Sequence, residues 1–143
     1  MTRVLIVDDE PDILLMLRVN LEADGYETAL AADGETALRR ISEEHFDIVL
    51  LDVMMPVMDG WGVLQGLSGE TEKPRVVVVS AKSSARDVAR ALELGAADYV
   101  TKPFSPVELS ELIGRIVGFD ETTLDAHREA TIARLTNGSS PTP

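Results

Sequence analysis

The chain contains no cysteine. Disulfides, thiolate metal sites and a cysteine nucleophile are excluded, and the composition fits a reducing compartment. Aromatic residues are only 4% of the chain, so its core has to be aliphatic. No apolar run is long enough to span a bilayer, and membrane insertion is not expected. Met1-Thr2-Arg3 leads straight into a strand-like block without a signal-peptide pattern, which favours a cytoplasmic location. Positive charge is scarce as well: 13 Lys and Arg face 25 Asp and Glu, a formal net charge of −12. Such a chain repels phosphate-rich surfaces, so neither nucleic acid nor anionic lipid is expected as a direct partner. What remains, 143 residues of which 45% are apolar, suits one domain with its own core and a short appendage.

Short aliphatic runs alternate with segments of helical period. Val4-Leu5-Ile6-Val7, Asp47-Ile48-Val49-Leu50-Leu51 and Arg75-Val76-Val77-Val78-Val79 are apolar at nearly every position, as strands covered on both faces are. Glu27 to Ala32 and Tyr99-Val100-Thr101 are weaker strand candidates. Helical stripes lie between them, such as Ile13, Leu14, Leu17 and Leu21 before Asp24-Gly25, or Leu109, Leu112, Ile113 and Ile116 after Ser105-Pro106. Five β-α units in a row predict an α/β fold, a doubly wound parallel sheet with helices on both faces. After Val117 the pattern breaks at Gly118. Residues 1–118 are read as the folded domain, 119–136 as a candidate C-terminal helix with a thin apolar stripe (Leu124, Ile132, Leu135), and 137–143 as a disordered tail.

In open parallel sheets, ligands bind beyond the carboxyl ends of the strands. Strand one ends in Asp8-Asp9-Glu10, strand three in Asp52, strand four in Ser80-Ala81 and strand five in Lys102-Pro103. Clustered carboxylates raise one another's pKa unless positive charge compensates. Lys102 supplies one such charge. A hard divalent cation would supply more, and an all-oxygen donor set favours Mg²⁺ or Mn²⁺ over zinc. A carboxylate beside that charge can attack phosphorus and carry an aspartyl phosphate. Read singly, each residue has a plainer explanation. Asp8, Asp9 and Glu10 suit a helix cap, Ser80 a strand-end cap, Lys102 the surface, Pro56 and Gly60 loop punctuation, and Tyr99 a half-buried strand aromatic. Asp52, following the four apolar residues Ile48 to Leu51, is harder to dismiss, and the coincidence at four strand ends outweighs the plain readings.

With Val4-Leu5-Ile6-Val7-Asp8-Asp9-Glu10, Asp52 through Gly60, Val79-Ser80-Ala81 and Gly95 through Phe104 in view, the sequence resembles the receiver domain of two-component response regulators from Arg3 to about Val117. The resemblance implies a flavodoxin-like five-stranded sheet of order 2-1-3-4-5. It implies that Asp52 accepts a phosphoryl group from a phosphohistidine on a sensor histidine kinase or a histidine phosphotransfer protein. Mg²⁺, with Mn²⁺ as a substitute, would be held by Asp9 directly, by Asp8 through water, by Asp52 and by the Met54 carbonyl. Lys102 and Ser80 would contact phosphoryl oxygens, helped by the Ala81 backbone N–H. Ser80 and Tyr99 would form the switch, a surface around helix four, strand five and helix five would change shape, and the Lys102-Pro103 peptide would be cis. No separate substrate is turned over, so the chain is not an enzyme beyond its own phosphorylation and dephosphorylation. Alternatives are a phosphorelay shuttle and an interaction-only pseudo-receiver, the latter disfavoured because no pocket residue is missing.

Three departures stand out against that pattern. Met54, two positions after the acceptor, cannot orient an attacking water, so slow self-dephosphorylation is expected. Ala97, Leu112 and Gly114 replace the charged residues of a symmetric dimer seam, so a monomer or weak dimer is expected. The segment after Val117 is too short for a separate output domain, which leaves a downstream protein partner unidentified.

Overall fold

The computed structural model describes residues 2–54, 59–67, 73–82 and 84–135. Five strands alternate with helices: β1 (Arg3–Val7), α1 (Pro11–Ala23), β2 (Glu27–Ala31), α2 (Gly34–Glu43), β3 (Ile48–Leu51), α3 (Gly60–Leu67), β4 (Arg75–Ser80), α4 (Ala85–Glu93), β5 (Asp98–Thr101) and α5 (Pro106–Gly118), followed by α6 (Glu121–Ala133). All strands are parallel, in the order β2-β1-β3-β4-β5. The expected fold class and order are therefore observed. The expected disordered tail, 137–143, lies outside the described residues, as does Met55-Pro56-Val57-Met58.

The near-continuous apolar strands have a direct cause. Side chains alternate across a sheet, and both faces here are covered. Leu5, Val7, Val49, Leu51, Val76 and Val78 pack with Ala37, Val63, Leu64, Leu67, Ala91 and Leu92 of α2, α3 and α4. Val4, Ile6, Ile48, Leu50, Val77 and Val79 pack with Leu14, Leu17, Leu21, Leu109, Ile113 and Ile116 of α1 and α5. Helix starts follow local chemistry. Asp33, Ser84, Ser105 and Asp120 each accept a backbone N–H three residues on, and Pro106 occupies the first turn of α5. Gly25 and Gly95, at φ of 93° and 110°, reverse the chain after α1 and α4.

Strand ends shift slightly from the sequence reading. β3 starts at Ile48, because the Asp47 carboxylate turns back to accept the Arg3 N–H at 2.9 Å. β4 runs on to Ser80, and β5 starts at Asp98. The segment after α5 folds back on the domain. Leu124 is buried with the α1–α5 cluster, while Ile132 and Leu135 pack against the other. Arg75, at the start of β4, donates to the carbonyls of Ile116 and Phe119 and so fixes the corner between α5 and α6.

Gly60 is more than loop punctuation. A Cβ there would lie 2.4 Å from Val53 Cα and 2.6 Å from the Asp52 carbonyl oxygen. The start of α3 is thus pressed onto the backbone of the residue that ends β3. Gly60→Ala is expected to cost about 1–3 kcal/mol of stability, because backbone on both sides has to give. A urea melt checks this, and an unchanged midpoint contradicts the close approach.

Candidate functional site

The register sets Asp8 and Asp52 side by side. Val7 pairs with Leu51, so the next residue on each strand emerges level at the same end of adjacent strands. Both are buried, at 3% and 4% exposure. Their partners match in kind. One oxygen of each accepts a backbone N–H two residues on: Glu10 to Asp8 Oδ1 and Met54 to Asp52 Oδ1, both at 2.9 Å. The other oxygen of each meets Lys102. Its Nζ lies 2.8 Å from Asp8 Oδ2 and 3.2 Å from Asp52 Oδ2. Lys102 follows β5, two strand positions from β3 and three from β1. At about 4.8 Å per strand, only a long stem crosses that span. The Lys102-Pro103 peptide is cis, as expected.

Glu10 also belongs to this cluster. Its Oε1 is 3.4 Å from Lys102 Nζ. One oxygen each from Asp8, Asp9, Glu10 and Asp52 lies within 4.8 Å of the others. The plain reading of Glu10 as a helix cap does not hold, since it occupies the cap position of α1 without a side-chain cap bond. Its role was hidden in the sequence because a third consecutive acid at a helix start looks ordinary.

The electrostatics follow from burial. Burial pushes the Asp52 carboxyl above its ordinary range, opposed by the Met54 N–H and the Lys102 charge and reinforced by Asp8. Lys102 is held well above the usual lysine range: burial acts against its charge, but the Asp8 and Asp52 carboxylates outweigh that. The ammonium is therefore a permanent charge, shared among more carboxylates than it can neutralise. The remaining donor set is all oxygen, with Asp8 and Asp52 buried and Asp9 and Glu10 exposed. That combination suits a hard divalent cation that keeps part of its water shell.

On the next strand, Ser80 is fully buried, and its Oγ accepts the Lys82 N–H at 3.1 Å. The Lys82 carbonyl accepts the Tyr99 hydroxyl at 2.6 Å. Tyr99 is half-buried against the α4 side of the sheet, and burial pushes its phenol upward. Ala81 and Met54 are exposed at the same end. The structure thus brings Asp8, Asp9, Asp52 and Lys102 into one cluster and links Ser80 to Tyr99 through Lys82. That middle member was not legible in the sequence, because it acts through its backbone. Nearby, the Arg90 guanidinium of α4 stacks on the Trp61 ring of α3 at 4.2 Å.

Residues 4–114 match the family model for the response regulator receiver domain. The transcriptional regulatory protein KdpE of Mycobacterium tuberculosis is 46% identical over 116 residues, which is 81% of this chain and 50% of KdpE. The chain spans about half the length of the curated relatives it matches. Among solved structures, the receiver domain of the Francisella response regulator 1452 superposes with a TM-score of 0.78 at 32% identity, covering 82% of this chain and 97% of that one. TrrA of Thermotoga maritima, solved in complex with Mg²⁺ and BeF, gives 0.73 at 33% identity, covering 81% and 99%. Fold, strand-end residues and relatives agree: the chain belongs to the receiver domain family of two-component response regulators.

Proposed function

We propose that Asp52 accepts a phosphoryl group from a phosphohistidine on a sensor histidine kinase or phosphotransfer protein, and that this switches a protein-binding surface. The observation that carries the reading is the Lys102 ammonium, 2.8 Å from Asp8 and 3.2 Å from Asp52. In the transfer, an Asp52 carboxylate oxygen bonds to phosphorus while the phosphorus–nitrogen bond of the donor breaks. Its electron pair stays on the imidazole, which takes up a proton from solvent. Lys102 moves from neutralising a carboxylate to neutralising a phosphoryl oxygen, with no change in its own charge. Ser80 donates to a second oxygen, and the Ala81 N–H supports it.

Asp9 and Asp52, with the Met54 carbonyl and with Asp8 through water, are the residues that would hold Mg²⁺ or Mn²⁺. When bound, the metal offsets charge on the transferred group. Glu10 joins this set as an outer carboxylate. The proposed switch runs from Ser80 through Lys82 to Tyr99, and the readout surface comprises α4, β5 and α5. A protein donor fits the rim better than a small molecule does. Leu15 of α1, Val107 of α5 and Met54 all expose more than half of their surface, and all three follow strand ends on the acceptor side of the sheet. Within the described residues no helix is long and apolar enough to cross a membrane.

With acetyl phosphate and Mg²⁺, intact-mass measurement is expected to show one phosphoryl adduct on the wild type and none on Asp52→Ala or in chelator. An unmodified wild type under excess donor and metal rules the reading out. Met54→Asn is expected to hasten decay of the phosphorylated form by on the order of tenfold, because an amide there can orient water and an exposed thioether cannot. Decay at the wild-type rate contradicts this. Stability carries a third mark. The folded chain binds the Asp52 proton more tightly than the unfolded chain does. Its contribution therefore favours the fold below the ordinary carboxylate range and is lost as pH rises through the folded value. Asp52→Asn is expected to melt a few degrees above wild type at neutral pH, with the gain fading towards about pH 4. A lower melting point across that range disproves the charge crowding.

A further inference from the structure

Phosphoryl acceptance leaves the contact between α4 and α6 without a role. α4 is held at both ends. At its start, the Lys82 N–H rests on Ser80 Oγ, and the Lys82 carbonyl takes the Tyr99 hydroxyl, two residues before the Ser84 cap. At its end, Arg128 of α6 donates to the carbonyls of Ala96 at 3.0 Å and Gly95 at 3.4 Å. These residues form the reversal that follows α4, where Gly95 adopts a φ of 110°. His127, one residue earlier on α6, meets Asp98 Oδ2 of β5 at 3.0 Å and packs its ring against Phe119 at 5.5 Å. Ile132 packs against the cluster that contains Ala91 and Leu92 of α4. α6 is therefore seated on the far end of the helix whose near end is wired to Ser80.

A phosphoryl group on Asp52 draws the Ser80 hydroxyl towards it. The Lys82 N–H then has to follow or let go, and either outcome disturbs the turn that Tyr99 also holds. α4 is nine residues long, about 13 Å, and moves as a stiff rod. The turn that follows its C-terminal end meets the Arg128 guanidinium, whose planar fork spans the Gly95 and Ala96 carbonyls. Besides Leu124, Ile132 and Leu135, the seat of α6 is held by polar anchors, and on its exposed side Glu121 pairs with Arg75 at 3.4 Å and Asp125 with Arg128 at 3.0 Å. A helix whose apolar contacts are divided between two clusters, with no continuous buried stripe, is the kind of element from which releasable segments are drawn.

We infer that α6 is a strap that favours the unphosphorylated placement of α4, so that phosphorylation of Asp52 and release of α6 are coupled. This rests on the phosphoacceptor reading of Asp52 above. Coupling is reciprocal: whatever loosens α6 tightens binding of a phosphoryl group by the same factor.

The test uses the full chain with Mg²⁺ and beryllofluoride, a phosphoryl mimic, and follows binding by Trp61 emission. Amide exchange across residues 121–133 is expected to speed up on the order of fivefold or more on binding, while β1 and β3 stay protected. The double variant His127→Ala with Arg128→Ala is expected to bind beryllofluoride more tightly by the same factor, and Arg128→Lys to fall between it and wild type. The wild-type exchange experiment decides the matter even if the double variant does not fold. Binding without faster exchange in α6, or with slower exchange, overturns the strap and leaves the role of Asp52 standing. A wild type that binds no mimic overturns both.

Discussion

One ammonium shared by two buried carboxylates is the constraint on which the site depends. Asp8 and Asp52 stand level on neighbouring strands, and each has already used one oxygen on its own backbone. Their remaining oxygens face Lys102. Without that charge, two carboxylates at the end of a dry sheet would repel each other, and removing one partner of a buried ion pair leaves the others uncompensated. The arrangement is therefore both a structural clamp and an unsatisfied one. Its surplus negative charge suits the site to a hard divalent cation.

The route outward from that clamp is built from backbone groups as much as from side chains. Ser80 holds the N–H of Lys82, and Tyr99 holds its carbonyl. A single peptide segment therefore connects the buried hydroxyl to the half-buried ring and to the start of α4. The stack of Arg90 on Trp61 ties the last turn of the same helix to α3, which begins where Gly60 presses on the Asp52 backbone.

Much of this was legible in the sequence because parallel sheets leave a plain record. Val4 to Val7 and Ile48 to Leu51 are apolar throughout since both faces are covered, and an ionisable residue directly after such a run has to be accounted for. Asp52 could be found that way, and Asp8 and Lys102 by their coincidence with it at the strand ends. Glu10 could not, because acids at helix starts are common and its distance to Lys102 is set by the turn. The link between Ser80 and Tyr99 through the Lys82 backbone leaves no trace in side-chain chemistry. The seating of α6 was equally hidden. Its stripe of Leu124, Ile132 and Leu135 is thin because it is divided between two clusters, and its main anchors are arginine contacts to carbonyls from distant parts of the chain.

Asp8 and Lys102 are 94 residues apart in the chain, and the lysine reaches its place only when the last strand has docked. In a copy whose last strand has not docked, Asp8 and Asp52 stand side by side without the Lys102 ammonium. The neutralising charge is therefore set in place by the final edge of the sheet, and the two carboxylates bear on each other until that edge is laid down.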